Sequence, residues 1–132
     1  QRFEVRTEPI EPPPHCDGLA IQRALINLLD NASKFSPPDS AIQVRAEAAN
    51  AAHWILAVAD RGPGIAPEER DRIFERFYRI GSELRREAPG AGIGLSVVRH
   101  IVEGHGGEAF VEPAPDGGSI FILRLPLQPP AN

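Results

Sequence analysis

Between Leu19 and Phe35 the apolar residues recur at helical spacing, and over Ile42 to Ala48 and Trp54 to Asp60 they alternate with polar ones instead. A period of 3.6 residues builds a helix with one apolar face, and a period of two builds a strand with one apolar face. Elements of both kinds bury those faces against each other, which predicts helices layered on a sheet. On the helix, Ile21, Leu25, Leu28, Ala32 and Phe35 share the apolar face, while Arg23, Asn27, Asn31 and Lys34 form a polar stripe that looks away from the core. Asp17 offers a side-chain oxygen for the helix N-cap, and Ser36-Pro-Pro-Asp ends the helix.

The remaining segments complete that layer. Arg2 to Arg6 alternates and predicts an edge strand, after which Pro9 and Pro12 to Pro14 enforce an extended connection. An Ala-Asn turn joins the two central strands. Pro67-Glu-Glu opens a short helix carrying Ile73, Phe74 and Phe77 as packing anchors, and the charged, aperiodic stretch from Gly81 to Pro89 is expected to be mobile. Leu95, Val98, Ile101 and Val102 mark a last helix stopped by Gly104 and Gly106-Gly107. Strands follow near Glu108 to Val111 and Ser119 to Leu125, and Pro126, Pro129 and Pro130 close the fold. The predicted class is α/β: a two-layer sandwich with a mixed, mostly antiparallel sheet of about five strands, covered on one face by three helices. No internal repeat is visible. A chain of 132 residues, 42% of them hydrophobic, suits one core, so a single domain is expected across the whole sequence.

Composition narrows the function. The net charge of -4 and the lack of a basic block make nucleic acid an unexpected partner, although arginines gather between Arg61 and Arg86. A single cysteine, Cys16, excludes an internal disulfide, and only four scattered histidines accompany it, which argues against a structural metal centre and suits a reducing cytosolic setting. No apolar run approaches the roughly 20 residues of a membrane helix, so the segment itself is not expected to contact a membrane. The sequence contains no methionine, and we read it as a piece of a longer protein.

Four local patterns carry chemistry. Asn27 and Asn31 stand one turn apart, with two neutral carboxamide oxygens that suit Mg²⁺ or phosphate-bound water or, alternatively, simply form a polar helix face. Lys34 on the same stripe either reaches a phosphate or pairs with Asp30 four residues earlier. Asp60 ends a strand on the face of Trp54, Leu56 and Val58, so its carboxylate points coreward and needs a donor. An adenine amine would serve, with Gly62 and Gly64 letting the chain turn closely around the base; an ordinary Asp-led turn is the alternative. Gly90, Gly92 and Gly94 run into the last helix at Leu95, as a phosphate-binding helix start or a plain hinge. Arg76 and Arg79, among aromatics, are placed to reach a terminal phosphate.

Taken in order, these residues resemble the ATP-binding catalytic domain of two-component sensor histidine kinases, in the superfamily that also holds DNA gyrase, MutL and a heat-shock chaperone. Asn27-Leu-Leu-Asp-Asn31-Ala-Ser-Lys34-Phe35 is similar to the family's N box, and Asp60-Arg-Gly-Pro-Gly-Ile65 to the first glycine box. Ile73 to Arg79 resembles the F box, and Gly90 to Leu95 the second glycine box. The resemblance implies the Bergerat-type fold with ATP and Mg²⁺ as ligands. It implies that Asn31 holds Mg²⁺, that Asn27 assists at the metal or phosphates, that Lys34 contacts phosphate and that Phe35 covers the nucleotide. Asp60 would bind the adenine amine while Gly62, Gly64 and Ile65 shape the base pocket. Arg79 would approach the terminal phosphate, and Gly90, Gly92, Gly94 and Leu95 would hold the triphosphate from a movable lid. Asn27, Lys34 and Arg79 are the catalytic candidates. Two departures stand out: Arg61 sits where these kinases often carry asparagine, and the stretch from Ile80 to Pro89 is rich in Arg and Glu.

The ATPase relatives carry a glutamate base where this sequence has Asn27, and a carboxamide takes no proton at neutral pH. The implied activity is therefore transfer of the γ-phosphoryl group to an outside nucleophile, with slow hydrolysis by this domain alone. That nucleophile is expected to be a histidine on a separate dimerisation helix, because His15, His53, His100 and His105 all lack the neighbours the family places after its acceptor. The implied partners are that phosphoacceptor domain and, through the full protein, a response-regulator receiver domain. The expected setting is cytoplasmic, the fragment monomeric, its parent a homodimer anchored in the bacterial inner membrane. A gyrase- or MutL-like ATPase, a nucleotide-gated scaffold without transfer activity and an anti-sigma serine kinase are the rival readings.

Overall fold

The computed structural model describes residues 1–75, 94–115 and 117–128. Five strands, β1 (Arg2–Thr7), β2 (Ala41–Ala48), β3 (His53–Ala59), β4 (Glu108–Pro113) and β5 (Ser119–Pro126), form one sheet in the order β1-β2-β3-β5-β4. β1 runs parallel to β2 and every other neighbouring pair is antiparallel, so the sheet is mixed as expected. Two α-helices, α1 (Gly18–Phe35) and α2 (Gly94–Gly104), cover one face. The third helical segment takes a tighter form: Pro67–Glu69 is a 3₁₀-helix continued by turns that bury Ile73 and Phe74. Phe74 meets Phe121 edge-on, with ring centroids 6.2 Å apart and planes at 78°. Phe77 and the stretch expected to be mobile, Gly81 to Pro89, lie outside the described residues.

Register explains the core. Val44 pairs with Val58, Val58 with Phe121, and Phe121 with Val111, so one row of side chains crosses the sheet on the helix side. Leu56 beside Leu123 and Trp54 beside Leu125 form the next rows. These residues close around Ile21, Ala24, Leu28 and Ala32 of α1 and Val98 and Val102 of α2 in a single cluster. The helical face is rotated slightly from its sequence reading: Ala24 is fully buried, whereas Leu25 and Phe35 are only half-buried. The same rotation leaves Asn27 and Asn31 half-buried at the edge of the core, while Arg23 and Lys34 face solvent.

The helix ends follow their sequence signals. Asp17 caps α1, its carboxylate accepting the Ala20 N–H at 3.1 Å. At the end of α2, Gly106 adopts φ 81° and donates to Glu103 O at 3.0 Å, and Gly107 N–H reaches Val102 O at 3.0 Å. That pair of bonds is a Schellman stop, which needs a left-handed residue where glycine stands.

Candidate nucleotide-binding site

A cleft opens where the C-terminal half of α1 passes over the end of β3. Asp60 follows β3 directly and keeps its alternation, so its side chain turns toward the helices and is only 4% exposed. Its Oδ1 accepts the N–H of Gly62 at 2.9 Å and of Ser119 at 3.1 Å, and its own N–H donates to Ser119 O at 2.8 Å. Among the described residues these bonds occupy Oδ1 alone, which leaves Oδ2 to the cleft. Burial raises the Asp60 carboxyl above the ordinary carboxylate range, and the two N–H donors pull it down by less.

The first glycine turn is held against the end of α1. Ser36 Oγ accepts the Arg61 N–H at 3.0 Å. A Cβ on Gly62 would lie 2.8 Å from the Phe35 carbonyl oxygen, so only glycine lets the turn pass this close. Gly64 sits at φ 86°, the left-handed region that glycine tolerates. The resulting cleft is lined by Phe35, Ile65 and Phe121 on its apolar side, by Asn31, Asp60 and Ser119 as polar contacts, and by Pro63 and Gly64. Apolar side chains around a buried acceptor suit a planar heterocycle bearing an amino group.

Beside it, Asn27 lies one helical turn before Asn31, and α2 starts at Gly94, where a Cβ would be 3.8 Å from both Cγ and Oδ1 of Asn27. The N-terminal end of α2 therefore opens next to the carboxamide pair, and the positive end of the helix dipole lies there. Leu95 is half-buried against the core. Lys34 Nζ pairs with Asp30 Oδ2 at 3.2 Å, which is the bland alternative for this lysine; both side chains are largely exposed, so the pair holds the ammonium only weakly. Arg76, Arg79, Gly90 and Gly92 lie outside the described residues.

Among the described residues no cluster of three or more His, Cys, Asp or Glu side chains could hold a metal ion. Carboxamide oxygens from Asn27 and Asn31 suit Mg²⁺ only when phosphates and water complete its shell, since that ion keeps several waters and takes few protein ligands. Cys16 is exposed, and desolvation together with the Asp17 charge beside it pushes its thiol up, which disfavours the thiolate. Three contributors went unread in the sequence: Ser36, Ser119 and Phe121. Their signals were a serine directly after a helix and a Gly117-Gly118 pair directly before a strand, neither of which names a distant partner.

The family model described as histidine kinase-, DNA gyrase B-, and HSP90-like ATPase matches residues 16–129. The signal transduction histidine-protein kinase/phosphatase MprB of Mycobacterium ulcerans is 44% identical over 117 residues, which are 86% of this chain and 22% of that protein. Among solved structures, the mycobacterial sensor histidine kinase MprB matches with a TM-score of 0.81 at 38% identity, covering 98% of this chain and 85% of that one. Full-length ShkA in complex with AMPPNP matches with a TM-score of 0.74 at 30% identity, covering 98% of this chain and 27% of that one. The chain thus spans 22% of the length of the curated MprB relative. With the mixed sheet, the glycine turn and the buried aspartate in place, this chain belongs to the histidine kinase-, gyrase B- and HSP90-like ATPase family, as an ATP-binding catalytic domain of the sensor histidine kinase type.

Proposed function

We propose that this chain binds Mg-ATP in the cleft and donates the γ-phosphoryl group to a histidine on a separate dimerisation domain of the same sensor kinase, which then passes it to a response-regulator receiver domain. The observation that carries the reading is Asp60: a buried carboxylate at the floor of an apolar slot, with one oxygen saturated by backbone N–H groups and the other facing the space. An exocyclic amine answers that oxygen, and Gly62 allows the close backbone approach that a flat base requires.

Around that anchor each residue has a task. Phe35 and Ile65 sandwich the base, Gly64 shapes the mouth, and Asn31 with Asn27 supplies oxygens for Mg²⁺ and phosphate-bound water. Lys34, whose ion pair with Asp30 is exposed and weak, turns to meet a phosphate. Gly94 and Leu95 start the helix whose positive dipole end meets the phosphates, and Gly90, Gly92 and Arg79 complete the triphosphate end from the lid segment. Mg-ATP, when bound, supplies the transferable phosphoryl group and the cation that offsets its charge. Asn27 has no basic group to activate water, so the chain positions and neutralises rather than hydrolyses.

The nucleophile then comes from outside the chain. His105 supports this, since one ring nitrogen faces the Asp17 N–H and the other the Ile101 carbonyl, leaving neither for attack. No helix among the described residues is long and apolar enough to cross a membrane. The similarity to MprB-type sensor kinases supports placing the chain on the cytoplasmic side of a homodimeric kinase anchored in the inner membrane. The test mixes the chain with γ-labelled ATP, Mg²⁺ and an acceptor helix domain from a closely similar kinase. Acid-labile, base-stable label on the acceptor histidine is expected, with little phosphate release by the chain alone. Rapid phosphate release without acceptor labelling would instead favour the gyrase-like ATPase reading.

A further inference from the structure

The corner where α1 begins and α2 ends holds an unusual junction. The Asp17 backbone N–H donates to His105 Nε2 at 3.0 Å, and His105 Nδ1 stands 2.8 Å from Ile101 O. A backbone amide only donates and a carbonyl only accepts, so the ring is neutral there, with its proton on Nδ1. Asp17 caps the start of α1, and His105 follows the last residue of α2, so one imidazole joins the caps of two helices that are 88 residues apart in the chain. Stopping α2 does not require the ring, because Gly106 and Gly107 already make both Schellman bonds.

The two helices are antiparallel, and the 11 residues of α2 run beside the N-terminal part of the 18-residue α1. From Asp17 to Asn27 is about 15 Å of helix, and from His105 back to Gly94 about 16 Å, at 1.5 Å per residue. At the far end Gly94 comes against the Asn27 carboxamide, its ideal Cβ position 3.8 Å from Cγ and Oδ1. The pair is thus fastened at one end by an imidazole and in contact at the other through the site residue. Helices are stiff along their axes, so a slip at the fastened end reappears beside Asn27.

We propose that His105 is a positioning residue for nucleotide binding: its neutral ring sets the register of α2 against α1, and with it the gap between the glycine-led start of α2 and the Asn27 and Asn31 carboxamides. The inference rests on the Mg-ATP reading of the cleft. Protonation of Nε2 would set an N–H against the Asp17 N–H and release the fastening. The titratable and charged groups on the elements meeting there are His15, Cys16 and Asp17 before α1, Arg23, Asp30 and Lys34 on α1, Arg99, His100 and Glu103 on α2, Glu108 and Glu112 on β4, and Arg124 on β5. The Asp17 carboxylate is committed to Ala20 N–H, Arg99 to Glu103, and Arg124 to Glu108.

The test measures Mg-AMPPNP affinity calorimetrically for wild type, His105→Ala and His105→Gln at about pH 8 and about pH 5.5, at a temperature where circular dichroism shows each protein folded. At the higher pH, His105→Ala is expected to bind about tenfold more weakly, on the scale of one lost cap interaction. A glutamine Oε1 can accept the Asp17 N–H at either pH, so His105→Gln should bind within about threefold of wild type at pH 8, which is less than 1 kcal/mol. It should also lose less affinity than wild type on acidification. Nucleotide protonation is common to both proteins, so this difference isolates the ring. If wild type binds and all three proteins share the same affinities and pH dependence, with only melting temperature changed, the ring is merely structural and the inference fails. Should His105→Ala not fold, the comparison of wild type with His105→Gln decides alone. Absence of wild-type binding at pH 8 would overturn the nucleotide reading itself, and this inference with it.

Discussion

Ser36 Oγ accepts the Arg61 N–H at 3.0 Å, tying the first residue after α1 to the first residue of the glycine turn. Ser36 is 8% exposed and its own N–H closes α1 on Ala32 O at 3.0 Å, so the hydroxyl is held in place from behind. Removing it as Ser36→Ala strands the Arg61 amide, a loss of about 1 kcal/mol for a single hydrogen bond. Chemical denaturation should show that decrease at unchanged m-value. Nucleotide affinity should fall as well, because the turn beside Asp60 loses its attachment; calorimetry giving wild-type affinity would separate the turn from the binding site.

Asp60 makes apo stability depend on pH in a stated direction. Burial raises its carboxyl, outweighing the Gly62 and Ser119 N–H donors, so the folded chain holds this proton more tightly than the unfolded chain does. The stability contributed is fully present below the unfolded Asp value of about 3.9 and is lost as pH rises through the raised folded value. The melting temperature of wild type minus that of Asp60→Asn should therefore decline as pH climbs through this window. A difference that stays level would show that the carboxyl is not perturbed.

The same substitution should alter base choice. An asparagine oxygen can still accept the Gly62 and Ser119 N–H groups, but its NH₂ then faces the cleft as a donor where Oδ2 had been an acceptor. Adenine presents a donor to that point, and a donor facing a donor is unpaired. Asp60→Asn is expected to cut the preference for ATP over GTP by at least about tenfold. Competition titrations that return the wild-type ratio would remove Asp60 from base recognition.

Gly117 and Gly118 both have left-handed backbones, at φ 95° and φ 88°, but only the second is hemmed in. A Cβ on Gly118 would strike the Asp60 carbonyl oxygen, while one on Gly117 meets nothing within 4 Å. Gly117→Ala should cost about 1–2 kcal/mol from backbone strain alone. Gly118→Ala adds a backbone collision at the floor of the site and should lose distinctly more, with nucleotide binding abolished. Equal unfolding free energies for the two variants would disprove the close packing of β5 on Asp60.

The elements were legible where the physics is local. Alternation along Trp54, Leu56 and Val58 placed Asp60 on the helix side of the sheet, and it lies there. Asp17 capping α1 and the glycines ending α2 were equally readable, because caps and stops use residues within one turn of each other. The third helix was expected to be short and to carry Ile73, Phe74 and Phe77; among the described residues Pro67–Glu69 is 3₁₀ and turns follow it, since Pro67 and the acids after it specify a start without specifying a length. The rotation of α1 that buries Ala24 ahead of Leu25 depends on which sheet rows lie beneath it, and spacing does not encode that.

What the sequence determined by itself was the set of elements, their apolar faces and the coreward direction of the Asp60 carboxylate, because these follow from periods of 3.6 and two residues and from turn chemistry. Tertiary structure alone decided which partners close the site. Ser36 reaches Arg61 across 25 residues, Asp60 reaches Ser119 across 59, and Asp17 reaches His105 across 88. Each of those bonds is a directional contact of about 3 Å that exists only once the sheet register and the helix layer have brought its ends together.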